Sequence, residues 1–176
     1  MRIGFTGTLS VGKTTLVNEL KKLPQFKDYE FSTERSKYLR DSGVPLNISS
    51  TLIGQNIFLA ERSLELLKEN IITDRTIIDV MAFTNLSEKI PYYVGDDYEK
   101  LASHLIRDYD YIFYISPEGV EIEDNGVRSI DPEYRKEVDE EIKGLLVKYS
   151  SKISKLHMLS GSTYDRIEKI KKTLDI

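Results

Sequence analysis

The chain has 176 residues, 40% hydrophobic and 31% charged, a balance that suits one domain burying roughly 70% of its unfolded surface. It contains no cysteine, which excludes disulfide frameworks, thiolate zinc sites and cysteine nucleophiles and points to a reducing compartment. Lys and Arg number 25 against 29 Asp and Glu, a net charge of −4, so no global field favours nonspecific polyanion binding, although a local basic pocket stays open.

Residues 2–6, RIGFT, form a short β-rich run that leads through glycines into VGKTTLVNELKKL. Val11, Leu16, Val17, Leu20 and Leu23 there share one helical face, and Pro24 ends the helix because its ring has no amide proton to give. YEFST (29–33) predicts a second strand, and a polar helix over 34–41 is stopped by Ser42 and Gly43. A long helical pattern runs over 50–69, its apolar positions being Leu52, Ile53, Ile57, Leu59, Ala60, Leu64, Leu66 and Leu67. NIITD (70–74) is nearly all apolar, as a strand buried on both faces should be.

TIIDVMAFTNL (76–86) reads as helix, PYYVGDDYEK (91–100) as a Tyr- and Asp-rich connection, and 101–107 as a further helix. DYIFYIS (110–116) carries the strongest β signal of the chain. Residues 117–130 hold Pro, two glycines and an Asp-Asn pair, which favours a loop over a packed element. PEYRKEVDEEIKGLLVKY is a helix with Pro132 in its first turn. SKLHMLSG (154–161) is a fifth strand, and the final helix puts Ile167, Ile170 and Leu174 on one face. Strands alternating with helices throughout predict an α/β fold: a five-stranded parallel sheet between two helical layers, without a second domain. No apolar run spans a membrane and MRIGFTGT lacks a signal-peptide core, so a cytoplasmic location is expected.

GTLSVGKT, residues 7–14, fits G-x-x-x-x-G-K-[ST], a pattern that would arise by chance in such a chain less than about once in a hundred. It follows a predicted strand and opens a predicted helix, the context the motif requires. Gly7 and Gly12 let the backbone wrap a ligand closely, so that amides along Thr8, Ser10, Val11 and Gly12 meet phosphate oxygens beside a helix N-terminus. Lys13 then bridges the β- and γ-phosphates, and the Thr14 hydroxyl suits Mg²⁺, a hard cation that takes oxygen ligands. Thr15 falls near the α-phosphate or is helix filler.

The loop alone does not separate switch GTPase, motor ATPase and small-molecule kinase. No N-K-x-D or T-K-x-D segment reads guanine and no D-x-x-G follows a strand, which disfavours the switch protein. Asp74-Arg75-Thr76 ends the third strand at the carboxyl edge of the sheet, where open α/β folds bind ligands. Asp74 either orients an acceptor hydroxyl and takes its proton, holds the metal, or merely caps the next helix. Arg75 is placed to neutralise phosphate.

With Gly7 to Thr14, Asp74-Arg75-Thr76 and Asp79, the chain resembles the P-loop nucleoside and nucleoside-monophosphate kinases. Within them it is most similar to the compact branch holding bacterial nicotinamide riboside kinase domains and phage-encoded relatives. The resemblance spans nearly the whole chain as an order of elements, and implies ATP as donor and Mg²⁺ as cofactor. It also implies that a lid after the fourth strand, about 117–136, brings arginines to the phosphates; Arg128 and Arg135 are the candidates, or Arg135 is a solvated helix charge. An acceptor site is implied at the end of the second strand, with Glu34 and Arg35, and on the long helix, with Gln55 and Arg62; Asp79 joins this set. Gln55 is suited to a nucleobase edge, Glu34 to sugar hydroxyls and Arg35 to an acceptor phosphate, unless each decorates a solvated face. The middle of the chain is rich in tyrosine, mostly core or edge residues by this reading, and the acidic run at 137–141 reads as a solvated helix face.

These residues predict a Mg²⁺-dependent kinase moving the γ-phosphoryl group of ATP to a nucleoside, nucleotide or similar small molecule. Two other classes stay open. A kinase acting on a nucleic-acid end would need a basic track, which the overall acidity disfavours. A non-catalytic NTP-binding module would bind nucleotide without transfer. The acceptor, the donor base and the oligomeric state are not encoded in any motif.

Overall fold

The computed structural model describes residues 1–33, 35–121 and 130–176. Five parallel strands form one sheet: β1 (Arg2–Thr6), β2 (Glu30–Ser32), β3 (Ile71–Thr73), β4 (Tyr111–Ile115) and β5 (Leu156–Leu159), in the order β2-β3-β1-β4-β5. Seven helices connect and cover them: α1 (Lys13–Leu20), α2 (Ser36–Asp41), α3 (Leu52–Glu65), α4 (Ile77–Asn85), α5 (Tyr92–Ala102), α6 (Pro132–Lys148) and α7 (Thr163–Leu174). The α/β architecture expected from the alternation of elements is thus the one observed.

Strand alternation sorts the core into two layers. On β1 and β4, Ile3, Phe5, Phe113 and Ile115 point to one face, where they pack with Val17 and Leu20 of α1 and Ile170 and Leu174 of α7. Ile112 and Tyr114 point to the other, joining Ile78 and Met81 of α4, Ala102 of α5 and Val138 and Ile142 of α6. No described helix is long and apolar enough to cross a membrane.

Three local expectations need correction. Residues 92–102 are helix α5, not a connection, and the predicted helix over 101–107 is mostly a 3₁₀ segment, Ser103–Asp108. Tyr92, Tyr93 and Asp97 masked it because they face solvent; Gly95, Tyr98, Glu99 and Ala102 form its inner face. Helix α3 is shorter than 50–69, starting at the Thr51 cap, whose side chain accepts from Gly54 N. Its buried face is not simply its aliphatic one: Ile53 and Leu64, like Leu67 just past its end, are exposed, while Gln55 and Arg62 are buried. The inward positions at 55, 58, 59, 62 and 66 follow a 3.6 period whose register the more numerous aliphatics disguise. In the acidic run of α6, Asp139 is buried and accepts from the Tyr114 hydroxyl at 2.7 Å while pairing with Lys143 at 2.6 Å, so that run is not wholly a solvated face.

Between the sheet and α4 the packing leaves no room for a methyl group at Gly4. A Cβ there would stand 2.5 Å from Thr76 Cγ2 and 2.8 Å from the ring of Tyr109, both fully buried. Thr76 caps α4 in a reciprocal box with Asp79, so the contact bears on the segment that carries Asp74 and Arg75. Gly4→Ala is predicted to destabilise the fold by about 1–3 kcal/mol, the range for overpacked cores, read as a lowered urea midpoint with an unchanged slope.

Candidate active site

The carboxyl ends of β1 and β3 lie side by side, with Gly4 paired to Thr73, so the segments following them emerge about one strand spacing apart. After β1 the chain turns at Gly7, where a Cβ would stand 2.7 Å from the Ile115 carbonyl, passes Ser10 in the left-handed region (φ 56°), and enters α1 through Gly12 at φ 82°. Only residues without a side chain, or with a short polar one, tolerate this path cheaply.

Side chains brace the loop at its carbonyls. Nζ of Lys13 donates to the carbonyls of Gly7 at 2.5 Å and Thr8 at 2.9 Å. Arg135, from α6, donates through Nε to the Leu9 carbonyl at 3.0 Å and through Nη1 to Val120 at 2.8 Å, while the Thr8 hydroxyl donates to the Arg135 carbonyl at 2.7 Å. Arg166, from α7, donates to the Val11 carbonyl at 2.6 Å. Burial pulls the pKa of both arginines below the usual guanidinium value, and both remain cationic.

Thr14 and Asp74 meet directly. The Thr14 hydroxyl donates to Asp74 Oδ2 at 2.5 Å, and the Asp74 backbone amide donates to the Ser32 carbonyl at the end of β2. Asp74 is fully buried and does not cap α4, a task taken by Thr76. A hydroxyl and a carboxylate in contact beside a phosphate loop fit a small hard cation that draws its other ligands from water and phosphate. No cluster of three or more His, Asp or Glu suited to a metal occurs among the described residues. Arg75 is buried beside them, its guanidinium 4.9 Å from the centre of the Phe83 ring.

The acceptor-side candidates spread over α2, α3 and α4. Arg35 is half exposed, lies over the Tyr38 ring and pairs with Glu61 at 3.2 Å. Arg62 is 3% exposed and pairs with Glu65 at 2.5 Å. Ser32 also donates to Glu65, whose pKa burial raises against the opposing pull of Arg62 and Ser32. Gln55 is buried, and its carbonyl accepts from the Tyr98 hydroxyl at 2.7 Å. Asp79 is turned into the cap, with Oδ2 accepting from Thr76 N at 2.8 Å and Thr76 Oγ1 at 3.0 Å, which gives it a structural task rather than an open face toward a ligand. Glu34 and Arg128 lie outside the described residues. Thr15 is exposed at the first turn of α1.

A cavity of about 290 Å³ opens on the other flank of the phosphate loop, between Ser10–Thr15 and the β5–α7 turn at Gly161–Thr163, with Arg166 in its wall. Sequence reading missed Arg166, Glu61 and Glu65. Arg166 precedes Ile170 and Leu174 by four and eight residues, a spacing that already put it on the buried face of α7.

Over residues 2–166 the sequence matches the family described as an AAA domain. No curated protein matches the chain in sequence. Among solved structures, deoxyadenosine kinase from M. mycoides with bound dCTP superposes with a TM-score of 0.67 at 19% identity, covering 99% of each chain. NadR in complex with NAD and AMP-PNP superposes with a TM-score of 0.74 at 20% identity, over 99% of this chain and 49% of that one. NadR in complex with NR gives 0.70 at 20% identity, over 99% and 51%. This chain therefore has the P-loop kinase fold and spans about half the length of NadR. Its match over nearly the whole sequence makes it a member of the AAA domain family.

Proposed function

We propose that the protein is a kinase that moves the γ-phosphoryl group of ATP, with Mg²⁺, to a hydroxyl group of an uncharged nucleoside-like small molecule. The observation that carries this reading is the contact between Thr14 and Asp74, which joins the metal-side hydroxyl of the phosphate loop to a buried carboxylate from the next strand. The binding of nucleotides by deoxyadenosine kinase and NadR on the same fold supports the choice of donor.

Lys13 lies within the loop, where its ammonium exchanges the carbonyls of Gly7 and Thr8 for phosphate oxygens when donor enters. Thr14 and Asp74 would supply oxygen ligands for Mg²⁺, which would offset negative charge on the donor phosphates. The acceptor oxygen forms a bond to the γ-phosphorus as the bond to the β-phosphate oxygen breaks; the electron pair leaves with ADP. The acceptor proton goes to the Asp74 carboxylate or, where that carboxylate holds the metal, to water. Arg75 is the described cation placed to offset the charge that shifts during transfer, and Arg128 is a second candidate from the sequence alone.

Charge on the α3 side favours a neutral acceptor. A monophosphate needs cations that are not already matched, yet Arg62 is paired with Glu65 and Arg35 with Glu61. Taking phosphate onto either arginine would strand a carboxylate, and Glu65 is already partly desolvated. Buried Gln55 and the carboxylates suit hydroxyl and amide edges instead.

Lys13→Ala is predicted to lower phosphoryl transfer by about 10³-fold, measured as ADP release with the best acceptor; transfer at the wild-type rate would refute the assignment. Asp74→Asn should cost about 10²–10⁴-fold in kcat, and a shifted Mg²⁺ dependence in that variant would assign Asp74 to the metal rather than to the proton. In a panel of nucleosides and their 5′-monophosphates, kcat/KM should favour the nucleoside by about 100-fold. A preference for the monophosphates would overturn the neutral-acceptor reading while leaving the kinase reading intact.

A further inference from the structure

Arg166 combines features that bracing a loop does not require. It is 4% exposed, and one hydrogen bond, Nη1 to the Val11 carbonyl, ties it to the phosphate loop. Its Nε is buried without a hydrogen-bond partner among the described residues. No carboxylate there offsets its charge: Asp165, its neighbour in sequence, is taken up by the cap of α7, accepting from Ser162 N at 3.0 Å and Ser162 Oγ at 2.6 Å. A desolvated guanidinium with no counter-charge among the described residues is costly to keep.

The same side chain walls the cavity between the loop and the β5–α7 turn, with Gly12, Thr14, Thr15, Ser162 and Thr163. Nη1 stands 3.3 Å from where a Cβ on Gly12 would be, so the guanidinium lies directly against the entry to α1. The first turns of α1 and α7 both border this space; α7 is capped by Ser162 and Asp165, whereas α1 has no side-chain cap, so its first amides add to the positive potential. An anion seated there would answer the counter-charge missing among the described residues and the uncapped end of α1 together.

We propose that Arg166 is a donor-binding residue whose guanidinium, braced on the Val11 carbonyl, compensates the donor phosphate nearest the nucleoside. The inference rests on reading the phosphate loop as the donor site and adds to it a cation from the last helix, more than 150 positions along the chain from the loop. Arg166 also couples the two elements: donor bound at the loop holds α7 in place through the guanidinium.

The test is calorimetric titration of the full chain with ADP and, separately, with inorganic tripolyphosphate, comparing wild type, R166M, R166K and K169M, the last an exposed charge on the same helix. R166M is expected to weaken ADP binding by about tenfold or more and tripolyphosphate binding with it, R166K to recover part of both, and K169M to match wild type. If ADP weakens while tripolyphosphate does not, Arg166 reads the base or sugar and the charge-compensation proposal fails. If R166M lowers the unfolding temperature but binds ADP within about twofold of wild type, Arg166 is only a brace and the proposal fails. Should R166M not fold, R166K decides alone, since its shorter ammonium loses the Val11 bond; ADP affinity equal to wild type overturns the proposal and a loss of about threefold or more supports it. Wild-type protein that does not bind ADP at all would bring down the donor reading itself, and this inference with it.

Discussion

A loop that presents its amides to phosphate must find partners for its carbonyls elsewhere, because a planar trans peptide points the two groups in opposite directions. Here Arg135 takes the carbonyl of Leu9 and Arg166 that of Val11, which turns the amides of Ser10 and Gly12 the other way. Unmet, each carbonyl would cost about 1–3 kcal/mol if buried. The shape of the phosphate loop, encoded near the start of the chain, is thus completed by α6 and α7. Two cations behind the loop also add to the positive potential that the helix N-terminus already supplies, so the brace and the electrostatics of anion binding are one arrangement.

A different balance governs the α3 side. Arg62, Glu65 and Ser32 form a buried polar knot at the ends of β2 and β3, tied through Glu61 to Arg35. Its cations and carboxylates match in number, and the raised pKa of Glu65 shows that burial outweighs the pull of its partners. Sets of this kind hold geometry rather than add stability, since a well-packed apolar substitute would often serve folding equally well. Under the proposed kinase reading, that rigidity would serve an acceptor site that selects by hydrogen bonds, which reject wrong partners far more sharply than apolar contact does.

The strands were legible because both faces of the sheet are covered, so alternation and apolar runs carried the signal at β1, β3 and β4. The phosphate loop was legible because its residue types are forced by backbone geometry that Gly7 and Gly12 satisfy. What escaped were surfaces where composition and position disagree. Helix α3 carries more aliphatic side chains outside than inside and buries Gln55 and Arg62, so its apolar positions did not mark its inner face. Tyr92 and Tyr93 are exposed and made α5 look like a loop, while Asp139 is buried on a face that composition paints as solvated. Pairings such as Arg62 with Glu65 or Arg166 with Val11 depend on tertiary placement, and only the helical spacing of Arg166 from Ile170 and Leu174 hinted at one of them. The placement of Asp74 against Thr14 was half visible: the sheet edge was expected, the direct contact was not.

Strand order gives these parts their common logic. The chain places β1 at the centre, β3 and β2 to one side and β4 and β5 to the other. Each strand ends at the same edge, so the side chains and turns that follow are laid out in that order along a single line. At the β5 end lie the cavity and Arg166, at the centre the phosphate loop and Asp74, and at the β2 end Arg35, Glu61 and Glu65. A donor stretched from the cavity over the loop would bring its terminal phosphate to the boundary between β1 and β3, and an acceptor held against α3 would reach that boundary from the opposite direction. In-line displacement needs entering and leaving oxygens on opposite sides of phosphorus, and under the proposed kinase reading, flanks on either side of one parallel strand pair would supply it.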